Sequence, residues 1–327
     1  MKKALITGIT GQDGSYLTQY LLDKGYQVYG LVKASLGNNL DNLRYLGVLD
    51  RVTLVQGDVT NMSVVKSVLE AIGPDEIYNL VAQSSVARSF EQPSATVEFN
   101  VMATLNLLES MRLLSLNAKF YQASSSEMYG KVKTLPVVED SVLHPVSPYA
   151  ISKATGHWLA INYREAYNLF CCCGILFNHE SVLRPGHFVT KKILSAAARI
   201  SMGSRETLVL GNVAIKRDWG YAPEYVKSMW SMLQQDEPDE YVIATNEAHS
   251  IAEFAEQAFF HLGLDWREHT VIDETLYRRS DIEAIYGNPA KAKQRLGWDY
   301  QWRFEDLVST LVKEECMRLR TSPDGKG

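Results

Sequence analysis

One stretch, Lys3 to Asp23, constrains this chain more than any other. A short apolar run, KALIT, passes directly into Thr7-Gly8-Ile9-Thr10-Gly11-Gln12-Asp13-Gly14, and an apolar-periodic segment, SYLTQYLLDKG, follows at once. The run predicts a strand and the periodic segment a helix, with a glycine turn between them. In such a turn Gly8 permits the sharp reversal, Gly11 lets the backbone come close to a diphosphate, and Gly14 lets helix and strand pack together. The first helical turn offers unpaired N–H groups and a partial positive charge, which suit an anion. The spacing T-G-x-x-G-x-x-G in this strand–turn–helix setting is the fingerprint of a dinucleotide site.

The rest of the chain repeats the alternation. QVYGLV precedes NNLDNLRYLG, VTLVQG precedes SVVKSVLEAIG, and EIYNLVA precedes the long TVEFNVMATLNLLESMRLL. KFYQASS, PYAISKATGHWLAINYREAY and LFCCCGILF continue it. Strands alternating with helices predict an α/β protein, a Rossmann-like doubly wound parallel sheet with helices on both faces. After Asn178 the pattern changes to a Pro/Gly loop, SVLRPGHF, a helix, FVTKKILSAAARISMG, and a short strand, ETLVLGN. YAPEYVKSMWSMLQQ and DEYVIAT then read again as helix and core strand. The expected division is a dinucleotide-binding domain over 1–177 and 215–246, a smaller, discontinuous C-terminal α/β substrate lobe over 178–214 and 247–320, and a disordered tail over 321–327.

A chain of 327 residues is long for one core, which agrees with two lobes and a cleft between them. The net charge of −5 is spread without a basic block, so neither nucleic acid nor an anionic membrane is expected as a partner. MKKALITG reaches glycine too soon for a signal-peptide core, and no apolar run approaches the ~20 residues of a membrane span. Cys171, Cys172 and Cys173 adjoin, Cys316 is distant, and no C-x-x-C spacing occurs, so no metal site is expected and a reduced, cytoplasmic setting is the simplest expectation. The apolar context of the triple cysteine predicts a buried strand.

An NAD site would carry an acid about 20 residues beyond the glycines, at the end of the second strand. Tyr29-Gly30-Leu31-Val32-Lys33-Ala34-Ser35 has none. Lys33 is placed to pair with a 2′-phosphate, which favours NADP and leaves NAD possible; a solvated surface lysine is the alternative. Asp58, in QGDV, suits the adenine amino group, or else a turn or helix cap.

Ser147-Pro148-Tyr149-Ala150-Ile151-Ser152-Lys153 holds Y-x-x-x-K at the opening of a helix. Ser147 suits the N-cap and Pro148 the first helical position. The i, i+4 spacing puts Tyr149 and Lys153 on one face. A nearby ammonium and the helix N-terminus would both favour the phenolate, letting Tyr149 take a proton from a substrate hydroxyl as a hydride leaves the same carbon. Alone the motif is common; behind the glycine turn it is specific.

With both motifs in this order the chain resembles the extended short-chain dehydrogenase/reductases. More narrowly, it is similar to the GDP-mannose 4,6-dehydratases through GITGQDGSYL, FYQASSSEMYG, SPYAISK, NYREAYNLF, GILFNHES, KRDWGYAPEYV and NPAKAKQRLGW. The resemblance implies a lyase that oxidises a GDP-sugar, eliminates water and returns the hydride. It implies Ser125, Glu127, Tyr149 and Lys153 as the catalytic set, Glu127 being the acid–base of the elimination. Cofactor contacts are expected from Gly8, Thr10, Gly11, Gln12, Asp13, Gly14, Lys33, Asp58, Val59, Leu80 and Ala82, together with Tyr149 and Lys153. For the GDP-sugar it points to Ser84 and Asn178 near the hexose, to Arg184, Lys192, Arg217 and Arg278 toward the diphosphate and nucleotide, and to Asp281 at the sugar. Guanidinium groups suit phosphate recognition, and an acidic protein needs such local positive charge. A homodimer or homotetramer is expected.

Two segments depart from the family. An arginine-rich RRSS-like segment is replaced by Lys33-Ala34-Ser35-Leu36, which bears on NADP preference and tetramer formation. R-P-A-E-V is here Arg278-Arg279-Ser280-Asp281-Ile282, and the aspartate leaves a modified hexose or a heptose open as substrate. A 4-keto-sugar reductase or epimerase and a GDP-heptose dehydratase are the near alternatives. A non-catalytic dinucleotide sensor is the remote one, disfavoured because a sensor needs no proton-transfer set.

Overall fold

The computed structural model describes residues 1–33, 40–277 and 281–321. Six early strands are β1 (Lys3–Thr7), β2 (Gln27–Val32), β3 (Thr53–Gln56), β4 (Glu76–Asn79), β5 (Lys119–Ser125) and β6 (Cys171–Leu176). Short strands follow as β7 (Asn178–Glu180), β8 (Leu208–Leu210), β9 (Lys216–Arg217) and β10 (Trp219–Tyr221), then β11 (Glu240–Ile243), β12 (His249–Ser250), β13 (Thr270–Ile272) and β14 (Ala284–Ile285). The helices are α1 (Gln12–Asp23), α2 (Asp41–Tyr45), α3 (Met62–Ile72), α4 (Val86–Glu91), α5 (Pro93–Leu113), α6 (Pro148–Tyr167), α7 (Val189–Ser201), α8 (Ala222–Leu233), α9 (Ile251–Phe260), α10 (Ala290–Leu296) and α11 (Phe304–Thr321).

Seven strands make one parallel sheet in the order β11-β6-β5-β4-β1-β2-β3. Strand order reverses between β1 and β4, the point at which a doubly wound sheet opens a crevice beyond its carboxyl ends. This is the fold that the alternation predicts. Side chains leave a strand to opposite faces, so each face gathers its own core. Leu5, Ile77, Phe120, Cys171 and Cys173 pack with Leu69, Leu107 and Ile161 of α3, α5 and α6. Ala4, Ile6, Tyr78, Tyr121 and Cys172 pack with Leu17 of α1 and Met229 of α8. The triple cysteine is thus buried strand, split between the two cores. Burial pushes Cys171 up to about 12 and Cys172 up to about 11, which removes the thiolate that reactivity would require.

A third core joins Ile193 and Ala197 of α7, Phe254 and Phe259 of α9, and Leu307 and Leu311 of α11, with Trp219 stacked near Phe304. Buried Glu315 of α11 takes hydrogen bonds from Lys191 and from Ser195, pinning α11 to α7. The chain leaves the large sheet after β6, comes back for α8 and β11, and leaves again. None of the helices among the described residues is long and apolar enough to cross a membrane.

One buried carboxyl ties these crossings together. Asp218, between β9 and β10, is fully buried and accepts from Thr245 N and Oγ1, both at 2.9 Å, from Asn246 N at 3.1 Å and from Gly287 N at 3.4 Å. Burial nonetheless pushes it up to about 7. Asp218→Ala would strand several buried donors at once, and the expected loss is about 3 kcal/mol in urea unfolding. A loss below 1 kcal/mol would show that the knot is incidental.

Candidate active site

The glycine turn sits where the strand order reverses. Gly8 has φ +75°, and a Cβ there would stand 2.9 Å from Val81 N, so only glycine fits. A Cβ on Gly14 would collide with the Gly8 carbonyl oxygen and stand 2.6 Å from the Ile9 Cα, so α1 could not close on the turn. At Gly11 a Cβ would meet only the Gly8 oxygen, at 3.3 Å; otherwise this position faces open space. Gly11 is also the N-cap of α1 and supplies no side-chain acceptor, so the first-turn N–H groups are left for another partner. An uncapped helix end over an open glycine is a fitting cradle for a dinucleotide diphosphate.

Beside this cradle the turn is bonded to β7. Gln12 Nε2 donates to His179 O at 3.1 Å and to Asp13 Oδ1 at 3.0 Å, and Ser181 Oγ donates to Gln12 Oε1 at 2.8 Å. His179 Nε2 lies 2.9 Å from Asp13 Oδ2. The Thr10 carbonyl accepts from Asn42 Nδ2 at 3.0 Å. Lys33 and Asp58, taken separately in the sequence, meet each other: Lys33 Nζ is 2.9 Å from Asp58 Oδ2, and Asp58 Oδ1 also caps Thr60 N and Oγ1. With Lys33 first and the Thr60 bonds next, the carboxyl of Asp58 is held down at about 2. Val59 is buried, its carbonyl accepting from Asn106 at 3.0 Å, whereas Leu80 and Ala82 line the cleft.

Opposite stands α6, whose start follows the sequence signal: Ser147 Oγ accepts from Ala150 N at 3.1 Å, with proline in the first turn. Three positions one helical turn apart, Tyr149, Lys153 and His157, address three consecutive residues at the end of β5. The Tyr149 hydroxyl is hydrogen-bonded with Ser125, Lys153 Nζ donates to Ala123 O at 2.8 Å, and His157 Nδ1 is 2.9 Å from Ser124 Oγ. Glu127 follows Ser125 in a single 3-10 turn, its N–H donating to Ser125 Oγ at 3.3 Å. Tyr149, Lys153, Ser125 and Glu127 all line one cleft of about 460 Å³.

The expected low-pKa phenol is not what this geometry provides. Burial, reinforced by the Glu127 charge and opposed by the Ser125 hydrogen bond, pushes Tyr149 up to about 12. Burial also lowers Lys153 to about 8. The ammonium lies 5.9 Å from the centre of the Tyr149 ring and spends a hydrogen bond on the Ala123 carbonyl, so desolvation outweighs its help to the phenolate.

The remaining wall carries Ser84, Asn178, Arg184, Lys192, Arg217 and Asp281, all on the same cleft. Buried Glu180 pairs with Arg184 Nε at 3.2 Å, and the Arg184 guanidinium lies 3.7 Å above the Phe188 ring, so this cation is braced on two sides. Arg217 Nη1 donates to Ile282 O at 2.7 Å, which sets it next to Asp281. Arg278 lies outside the described residues, as do Ala34, Ser35 and Leu36. Asp13 shares the cleft, while Gly8, Thr10, Gly11, Gln12, Gly14, Lys33, Asp58 and Val59 lie beyond its lining. His179, Glu180, His157 and Phe188 were not singled out by sequence reasoning. Only their place in GILFNHES and in α6 could have drawn attention to three of them, and no chemical spacing rule does so.

A family model described as GDP-mannose 4,6 dehydratase matches residues 5–311. The chain belongs to this family. GDP-mannose 4,6 dehydratase 1 of Arabidopsis thaliana is 46% identical over 324 residues, covering 96% of this chain and 90% of that protein. GDP-mannose 4,6 dehydratase of Homo sapiens is 42% identical over 346 residues, covering 98% and 93%. Among solved structures, dTDP-glucose 4,6-dehydratase of Bacillus anthracis str. Ames in complex with NAD superposes with a TM-score of 0.85 at 22% identity, covering 100% of each chain, and so shares the fold.

The family site makes one prediction that needs no substrate. With ¹⁵N-lysine labelling, one amine absent from Lys153→Met should titrate near 8, well below an ordinary lysine. Titration of Lys153 at 10 or above would show that α6 does not desolvate it.

Proposed function

We propose that this protein is a GDP-mannose 4,6-dehydratase, converting GDP-mannose to GDP-4-keto-6-deoxymannose and water, with NADP as its resident cofactor and NAD as the alternative. What supports the reading above all is the convergence of Tyr149, Ser125 and Glu127 on one cleft that opens beside an uncapped helix N-terminus. The cradle of Gly8, Gly11 and Gly14 would hold the diphosphate, with Lys33 and Asp58 toward the adenosine end. A bound nicotinamide dinucleotide supplies hydride chemistry, accepting at sugar carbon 4 and giving back at carbon 6, so that none is consumed.

The chain's own groups manage protons. Tyr149 Oη takes the proton of the 4-hydroxyl, and Ser125 Oγ donates to the oxygen on carbon 4. Oxidation there acidifies the proton on carbon 5. The Glu127 carboxylate removes that proton and passes it to the 6-hydroxyl, which leaves as water as the carbon 5–carbon 6 double bond forms; with hydride restored to carbon 6, carbon 5 takes a proton that balances the one Tyr149 took from the 4-hydroxyl. Ser84 and Asn178 would orient the hexose; Arg184, Lys192, Arg217 and Arg278 would answer the diphosphate and nucleotide; Asp281 would touch the sugar. We read the assembly as a homodimer or homotetramer, supported by exposed apolar side chains on α6, Ile151 and Trp158. A cytoplasmic setting is proposed from the unpaired, buried cysteines of β6.

Purified protein incubated with GDP-mannose and trace NADP should form a 4-keto-6-deoxy product with no net change in NADPH absorbance. Glu127→Gln should keep NADP binding and lose turnover on the order of 10³-fold; turnover equal to that of the unsubstituted enzyme would remove Glu127 from the mechanism. The pH profile is also fixed in sign. Activity requires Tyr149 to act as a base, and burial pushes its phenol up to about 12. Log kcat/KM should therefore rise with pH from 6 to 9 without levelling off. A profile flat from pH 6 to 9 would contradict this assignment of the base.

A further inference from the structure

We propose that His179 is a positioning residue for the cofactor turn: as an imidazolium it supplies the counter-charge that allows Asp13 to stand, ionised and fixed, beside an anion site. The inference rests on the dinucleotide reading of the cleft given above.

Hydrogen-bond valence carries the case. His179 Nδ1 lies 2.7 Å from the Phe177 carbonyl oxygen, which only accepts, so Nδ1 bears hydrogen. Nε2 lies 2.9 Å from Asp13 Oδ2, and an ionised carboxylate also only accepts, so Nε2 bears hydrogen as well. Two ring donors make an imidazolium. The other distribution, a neutral ring facing a carboxylic acid, is disfavoured by what else surrounds Asp13. Its second oxygen accepts from Gln12 Nε2 at 3.0 Å, and the residue stands in the first turn of α1, where the helix favours a negative charge. The same cation is stacked on the Tyr225 ring of α8, centroids 4.6 Å apart and planes at 24°. Burial opposes charge on both partners, yet Asp13 is held down at about 2 and His179 is raised, each by the other. The charged and titratable groups around the pair are Arg184 near both members, Tyr149, Lys153 and Tyr121 toward Asp13, and Tyr225 on the far face of the ring.

The consequence is specific to this site. A dinucleotide diphosphate brought to the N-terminus of α1 meets a carboxylate in the same turn, and like charges in a desolvated cleft repel. His179 cancels that repulsion. Its Nε2–Asp13 bond, alongside the Gln12 and Ser181 bonds that do not depend on the ring, also ties the turn to β7, the strand that carries Asn178.

Two measurements test this on the full chain. Without ligand, ¹⁵N-histidine spectra should show one ring, identified by its absence in His179→Gln, as imidazolium at pH 7. In calorimetric titration with NADP at pH 7, His179→Gln should weaken binding about tenfold or more, and adding Asp13→Asn should recover at least threefold, because charge and counter-charge then leave together. A merely structural histidine would show no such recovery. A neutral His179 ring at pH 7, affinity in His179→Gln within twofold of the unsubstituted protein, or a double variant no better than the single one would each overturn the inference. If the folded, unsubstituted protein binds no NADP, the dinucleotide reading fails instead, and the proposal that rests on it fails with it.

Discussion

Everything in the cleft depends on how closely α1 lies against the end of β1. That approach is possible only because residue 14 ends at its Cα and residue 8 can take a positive φ. With the turn closed, the first N–H groups of α1 point into the crevice where the strand order reverses. The β4 loop lies on one side of that crevice and β7 on the other. No surface charge is needed to draw an anion there. The net charge of −5 is no obstacle, because the attraction comes from backbone dipoles and a few braced guanidinium groups.

The second constraint is the helix α6, which addresses the last three residues of β5 from three successive turns. Burying its polar side chains costs desolvation, and the cost shows in opposite directions on two neighbours: the phenol of Tyr149 resists losing its proton and the amine of Lys153 gives one up readily.

The large sheet was legible because its strands are long enough to show a period and its helices carry end signals. Ser147-Pro148 marked the start of α6, and the apolar context of Cys171 to Cys173 marked a buried strand. The short strands β7, β9, β10, β12 and β14 were not legible, since two or three residues cannot display an alternation. For the same reason the strand Asn178–Glu180, which pairs in parallel with β10, went unread, while the loop expected for SVLRPGHF just after it is what the chain forms. Residues expected to act singly on a ligand were named through motif and resemblance, and the cleft brings many of them together. Those that act on one another were missed: the pairing of Lys33 with Asp58, of His179 with Asp13 and of Glu180 with Arg184 each joins segments, or orients groups, in ways that no spacing encodes. The raised phenol of Tyr149 was not legible for the same reason, since burial is a property of the assembled cleft.

The route of the chain through β6, β7, α8 and β11 limits how the molecule can move. A body joined to another at one point hangs on a single link, but here the backbone passes across the cleft after β6, again between β10 and α8, and once more after β11, and then α10 returns to the large-sheet core before α11 joins the third. With Asp218 bonded to the segment that follows β11, the two sides of the cleft cannot part without pulling on several of these links together.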